Sequence, residues 1–185
     1  MNWVRQNWTL FSIIVLAVSL GWIAFTAPAG GSITNGKIPA PREGFLAPEF
    51  ALQDAQGQTV RLSELRGRPV LVNLWASWCA PCKAEMPAMQ KVYEAYAAQG
   101  FTILAVNTTF QDTQENAISF AESRMLTFPL LFDVDGSVSQ QYQVRAMPTS
   151  FFVDQEGIIR RAVFGGPMPE ALLRAEIDKL LEGKR

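Results

Sequence analysis

Residues 69–82, PVLVNLWASWCAPC, limit the possible folds of this chain more than any other stretch. Residues 69–75 form a near-continuous apolar run of strand length. Such a run suits a strand covered on both faces. Residues 81–98 then carry apolar side chains at helical spacing (Met86, Met89, Val92, Tyr93 and Tyr96) up to Gly100. A buried strand that runs straight into a helix places whatever lies between them at the strand's carboxyl end. Here that is Trp78-Cys79-Ala80-Pro81-Cys82.

These two cysteines are the only ones in the chain. Cys79 falls near a helix N-cap, where unpaired backbone N–H groups and the macrodipole favour negative charge. That position lowers a thiol pKa from about 8.5 toward values at which thiolate is populated at neutral pH. The thiolate is the nucleophile of thiol–disulfide exchange. Cys82 lies three residues on, on the same helix face, placed to attack a mixed disulfide and release the reduced partner. Pro81 fits the first turn, where its missing N–H is not needed. The structural readings of the pair are weaker. Structural zinc wants four ligands and the chain has no further cysteine and no histidine, and a permanent bridge across so short a loop would stabilise folding little.

Three further positions are candidates. Glu85 lies one helical turn beyond Cys82. Buried there, its carboxyl would have a raised pKa and could exchange protons with Cys82; otherwise it is a solvated helix glutamate. Pro148, after Met147, enters the apolar strand 149–153, where proline removes a ladder donor. Either a cis peptide in a tight turn or an ordinary trans turn fits. Trp78 offers an apolar docking surface or simply packs into the core.

The remaining pattern is that of one α/β domain. Residues 49–52 and 59–62 read as a hairpin around the turn 55–58, and Ser63 as the cap of a short helical turn ending near Gly67. Residues 101–106 read as a second buried strand. Residues 113–125 form a helix with Ile118, Ala121 and Met125 on one stripe. Residues 129–132 read as a strand, 136–142 as a short helix or turn, and 149–153 and 158–164 as a hairpin across Asp154-Gln155-Glu156-Gly157. Residues 169–181 form a helix burying Leu172, Leu173, Ile177, Leu180 and Leu181. Strands alternating with helices imply a sheet with parallel strands, layered by helices.

The N-terminal segment differs in kind. No charged side chain occurs from Gln6 to Gly36, and residues 8–26 give 19 predominantly apolar positions. At about 1.5 Å per residue that length is close to a bilayer core of about 30 Å. A membrane anchor over 1–26 is the leading expectation. A cleaved signal ending near Ala27-Pro28-Ala29, or a buried helix, are the alternatives. Residues 27–43, rich in Gly, Pro, Ala and Ser, read as a flexible linker, and 44–185 as the folded domain. Arg5 precedes the span while Lys37 and Arg42 follow it, so charge alone does not orient it.

Composition narrows the chemistry further. The absence of histidine removes Ser-His-Asp and Cys-His catalysis and His-ligated metal. A formal net charge of −1 gives no reason to expect nucleic-acid binding.

The segment 70–87, VLVNLWASWCAPCKAEMP, resembles the active-site segment of TlpA/ResA-like thiol–disulfide oxidoreductases, thioredoxin-fold proteins of the redoxin (AhpC/TSA) superfamily tethered to bacterial membranes. The similarity extends to APEF at 47–50, LSELRGRPV at 62–70, Pro148 and the DQEG turn. It implies a thioredoxin-like fold, a central mixed sheet flanked by helices, with an N-terminal β-hairpin and a strand–helix insertion at 101–125. It further implies Cys79 as attacking and Cys82 as resolving cysteine, Glu85 as a buried active-site glutamate, and a cis Pro148 lining a substrate groove with Met147 and Trp78. No cofactor is expected beyond the redox-active pair. The implied partners are protein disulfides, with apocytochrome c a candidate, a thiol-type membrane electron donor, and the lipid bilayer, with the domain on the extracytoplasmic side. A dipeptide between the cysteines that lacks histidine leans toward a reductant. The alternatives are a peroxiredoxin-like peroxidase, in which a threonine would stand at Ala76, and a copper-binding module, which would want a distal histidine.

Overall fold

The computed structural model describes residues 8, 15–19 and 38–183. Among them no helix is long and apolar enough to cross a membrane. The candidate anchor 1–26 and the first part of the linker fall largely outside the described residues. The compact unit begins at Ile38, ahead of the expected boundary at Gly44. Residues 38–43 are held onto it: Pro39 bridges Leu46, Ala40 N–H donates to Leu46 O at 3.0 Å, and Ala162 N–H donates to Glu43 Oε1 at 3.0 Å. The linker expected over 27–43 is therefore docked in its last six residues, because the Ala40 backbone and the Glu43 carboxylate find partners on the domain.

Seven strands form one mixed sheet: β1 (Ala51–Asp54), β2 (Thr59–Arg61), β3 (Val70–Trp75), β4 (Thr102–Asn107), β5 (Leu130–Phe132), β6 (Thr149–Val153) and β7 (Ile159–Phe164), in the spatial order β2-β1-β5-β4-β3-β6-β7. The central strands β3, β4 and β5 are parallel; the hairpins at either edge are antiparallel. Every residue of β3 and β4 is buried, as continuous apolar runs require.

Strand alternation sorts these side chains onto two faces. Leu71 and Trp75 join Phe101, Ile103 and Ala105 under three helices, α1 (Ala80–Tyr96), α2 (Gln114–Ser123) and α4 (Glu170–Glu182). Val70, Val72 and Leu74 pack on the opposite face with Leu104, Val106, Phe151 and Val153, and with Val138 and Tyr142 around the short helix α3 (Ser137–Gln141). Tyr142 closes that second core, its ring edge-on to Phe50 and Phe151 and its hydroxyl donating to Pro48 O at 2.7 Å.

Three local expectations are corrected. The first strand starts at Ala51 rather than 49, because the Glu49 carboxylate turns aside to accept from Ser63 N and Oγ at 3.1 and 2.9 Å. For the same reason Ser63 caps nothing; the turn Leu62–Leu65 starts after Arg61 with no side-chain cap. The second helix ends at Ser123, and Met125, with φ of 53° and 79% of its surface exposed, leaves the apolar stripe, whose buried member is Ala117.

Candidate active site

β3 ends at Trp75, and the chain then turns through Ala76, Ser77 and Trp78 into α1. Asp112, in the β4–α2 connection, grips that turn. Its carboxylate accepts from Ser77 N at 2.6 Å, Ser77 Oγ at 2.8 Å, Asn107 Nδ2 at 2.9 Å and Thr113 N at 2.9 Å. Partial burial opposes its ionisation, but these hydrogen bonds outweigh burial and hold the carboxyl below the usual range. The Trp78 indole N–H donates to Gln111 O at 2.9 Å, which pins a ring that stays 55% exposed. Trp78 is therefore at the surface beside the sulfurs and not in the core.

Cys79 is the N-cap of α1 and Pro81 lies in the first turn. The two cysteines are joined as a disulfide, with Cα atoms 5.3 Å apart. Cys82 N–H donates to Cys79 Sγ at 3.3 Å, the backbone donor expected to face a thiolate at this position. Cys82 is fully buried, while Cys79 keeps 5% of its surface. Of the two cysteines, Cys79 is the one with surface facing solvent.

Glu85 is buried at 1% exposure, so it is not a solvated helix residue. Its Oε1 accepts from Asn73 Nδ2 at 2.8 Å and its Oε2 from Met168 N at 3.0 Å. Burial pushes its pKa up from the ordinary 4.5 to about 6, and the two hydrogen bonds limit the rise. A carboxyl that titrates near 6 exchanges protons readily at neutral pH.

Burial of Glu85 has a consequence for stability. Between pH 4.5 and 6 the folded chain binds more protons at Glu85 than the unfolded chain, so stability falls as pH rises through that window. The penalty is about 2 kcal/mol above it. Urea unfolding of the wild type and Glu85→Gln at pH 4.5 and 7.5 should show the wild type losing about that much relative to the variant at the higher pH. A difference that stays constant across the window contradicts the assignment.

The Met147–Pro148 peptide is cis, as is Gly166–Pro167. Pro148 opens β6 next to the disulfide-bearing end of β3, since Leu74 pairs with Thr149. Thr108 Oγ1 donates to Met147 Sδ at 3.6 Å. A groove of about 390 Å3 runs beside Met147, lined among others by Thr108, Phe110, Gln111 and Arg145. It reaches the residue that holds Trp78. The sheet thus brings Trp78, Cys79, Cys82, Glu85, Met147 and Pro148 to one end of the domain.

Sequence reasoning missed Asn73, Asp112, Gly166 and Met168. Asn73 had a signal, as the one polar residue in an otherwise apolar strand. A Cβ on Gly166 would lie 2.6 Å from Pro148 Cγ and 3.0 Å from Glu85 Oε2, so only glycine lets this loop approach. Nothing in the linear sequence connects residue 166 to residue 85.

Comparison with known proteins agrees with this geometry. The AhpC/TSA family model matches residues 44–162. ResA, the thiol-disulfide oxidoreductase of Geobacillus thermodenitrificans, is 40% identical over 161 residues, 87% of this chain and 90% of the relative. This chain belongs to the AhpC/TSA family. ResA of Bacillus subtilis is 32% identical over 172 residues, 93% of this chain and 91% of that protein. StoA of Bacillus subtilis, a solved structure, aligns with a TM-score of 0.61 at 27% identity, covering 70% of this chain and 96% of StoA. A structure assigned as the thiol:disulfide interchange protein DsbE, from Chlorobium tepidum, aligns with a TM-score of 0.70 at 34% identity, covering 76% and 98%. This AhpC/TSA member thus has a thioredoxin-like fold and a Cys-x-x-Cys pair at disulfide distance, and is a thiol–disulfide oxidoreductase.

Proposed function

We propose that this enzyme is an extracytoplasmic reductant of protein disulfides, with apocytochrome c among its candidate substrates. The observation that carries the reading is a buried, readily protonated carboxyl one helical turn beneath the buried cysteine. The Cys79 thiolate attacks a substrate disulfide, forming a mixed disulfide and expelling one substrate thiolate. Cys82, its proton passed to Glu85, attacks Cys79 Sγ. The second substrate thiol leaves, the two electrons given up by the enzyme dithiol now reside on the substrate's two thiols, and the Cys79–Cys82 disulfide is the oxidised product. A thiol-type donor in the membrane returns the enzyme to the dithiol. Trp78, Met147 and Pro148 supply the face against which the substrate chain lies, with the groove beside Met147 receiving a neighbouring side chain.

The direction of electron flow is supported by Ala80-Pro81 between the cysteines, with no histidine to stabilise the reduced form. Membrane attachment is supported by the charge-free N-terminal segment, read as an anchor, and the extracytoplasmic side by the resemblance of residues 70–87 to the TlpA/ResA-like proteins. Ala76, buried, stands where a peroxidase reading wants a threonine, and so supports disulfide exchange instead.

Trapping tests the reading. Cys82→Ser, expressed in cells that make secreted cysteine proteins, should accumulate adducts that dithiothreitol releases. A membrane-impermeant maleimide should label reduced Cys79 in intact cells. Absence of adducts, or equal adducts from a variant lacking Cys79 as well, contradicts the mechanism. Labelling only after lysis contradicts the compartment.

A further inference from the structure

Asn73 sits in the middle of β3, fully buried, on the face shared with Leu71 and Trp75. Its register partner on β6 is Ser150. Its Nδ2 group uses both protons, donating to Glu85 Oε1 and to Ser150 Oγ, each at 2.8 Å. Its Oδ1 is buried and has no partner among the described residues. An amide that leaves its stronger acceptor unmet has been turned that way by something worth more than the lost bond. The carboxylate is that something, because a hydrogen bond to an ionised acceptor is about twice as strong as a neutral one.

Every donor aimed at Glu85 therefore suits its ionised form. Protonation on Oε2 would set an O–H against Met168 N–H, a backbone donor that cannot reverse. Protonation on Oε1 would set it against Asn73 Nδ2, which can. Rotation about the terminal side-chain bond exchanges the amide oxygen and nitrogen with little change in shape. Oδ1 would then accept from the carboxylic acid, and the Ser150 hydroxyl, both donor and acceptor, would turn to donate to the same oxygen.

We infer that Asn73 is a positioning residue whose amide reverses with the protonation of Glu85, giving Nδ2 to the carboxylate and Oδ1 to the carboxylic acid. Glu85 thereby keeps a hydrogen-bond partner on Oε1 in both states of a proton-transfer cycle. Among the described residues no charged group acts on Glu85; burial, the Met168 N–H and the Asn73 amide do. β3 presents Asn73, β6 presents Ser150 and Pro148, and the loop before α4 presents the Met168 backbone and Gly166. On α1 itself the titratable neighbour is Cys82, one turn away, which is bridged in the oxidised state. The catalytic use of this device rests on the reading of Glu85 as the proton acceptor from Cys82; the reversal itself does not.

The test uses the full-length oxidised protein, with no substrate, so that its outcome is separate from that of the proposed activity. Carbon-13 NMR follows the Glu85 carboxyl through pH 4–8, and nitrogen-15 NMR follows the Asn73 side-chain amide. The amide signals should move with the same midpoint as the carboxyl. In Glu85→Gln, whose amide offers a donor as the carboxylic acid does, the Asn73 signals should hold their low-pH positions at every pH. Asn73→Ala should weaken Glu85 acidity about tenfold; Ser150→Ala, the milder change if Asn73→Ala does not fold, should move the Asn73 midpoint and the Glu85 midpoint together. Asn73 signals that stay fixed across the Glu85 midpoint, or that keep their high-pH positions in Glu85→Gln, overturn the inference.

Discussion

Replacing Cys79 with serine is expected to lower the dithiothreitol-driven reduction of insulin to background, a loss of more than about a thousandfold. Access and acidity both single out Cys79. Cys79 is the N-cap of α1, its Sγ faces the Cys82 N–H, and it is the one residue of the pair with any exposed surface. A serine hydroxyl at the same place has a pKa far too high to yield an anion at neutral pH, and Cys82 is too deeply buried to meet a protein disulfide in its stead. A variant that keeps a tenth of the wild-type rate would show that Cys82 or a chain-independent route carries the exchange.

Gly166→Ala should produce the second large effect, through packing alone. Its new methyl group would fall 2.6 Å from Pro148 Cγ and 3.0 Å from Pro148 Cδ. These are ring atoms that cannot swing aside as a flexible chain end does. The same methyl would lie 3.0 Å from Glu85 Oε2. The loop must retreat, and Met168, two residues on, carries its N–H away from the carboxylate. Overpacking of this kind costs about 1–3 kcal/mol. Loss of the Met168 hydrogen bond, which lowers the Glu85 pKa, should raise that pKa further. Urea unfolding and the insulin assay should both register the change, with activity down at least about tenfold at pH 7. Wild-type stability and rate in Gly166→Ala would mean that the loop is not packed against Pro148 and Glu85 as described.

The parts of this site that were legible in the linear chain share one property: their partners are close in sequence. Cys79, Pro81 and Cys82 are read together because one helix start holds them. β6 was found at 149–153 because a proline and the DQEG turn bound it. β3 and β4 were found because burial on both faces leaves almost no polar residue in either. Asn73, Gly166 and Met168 were not found, because what joins them to Glu85 is sheet register and a loop crossing, separations of 12 residues for Asn73 and 83 for Met168. Asp112 escaped for the same reason, reaching 35 residues back to Ser77. Two local rules failed, one to a bond reaching 14 residues along the chain and one to an early helix end. Ser63 gave up capping to bind Glu49. Met125 had helical spacing but lies past the end of its helix at Ser123.

The most direct test of the account is a redox equilibrium on the full-length protein. The chain is incubated with graded mixtures of reduced and oxidised dithiothreitol, quenched in acid, alkylated and weighed. Both thiols should appear and disappear together in one two-electron transition, with a tenfold change in ratio for about every 30 mV. Thiols that stay bridged or stay free across the whole range, or that are alkylated one without the other at equilibrium, would contradict the claim that Cys79 and Cys82 form a reversible electron-carrying pair.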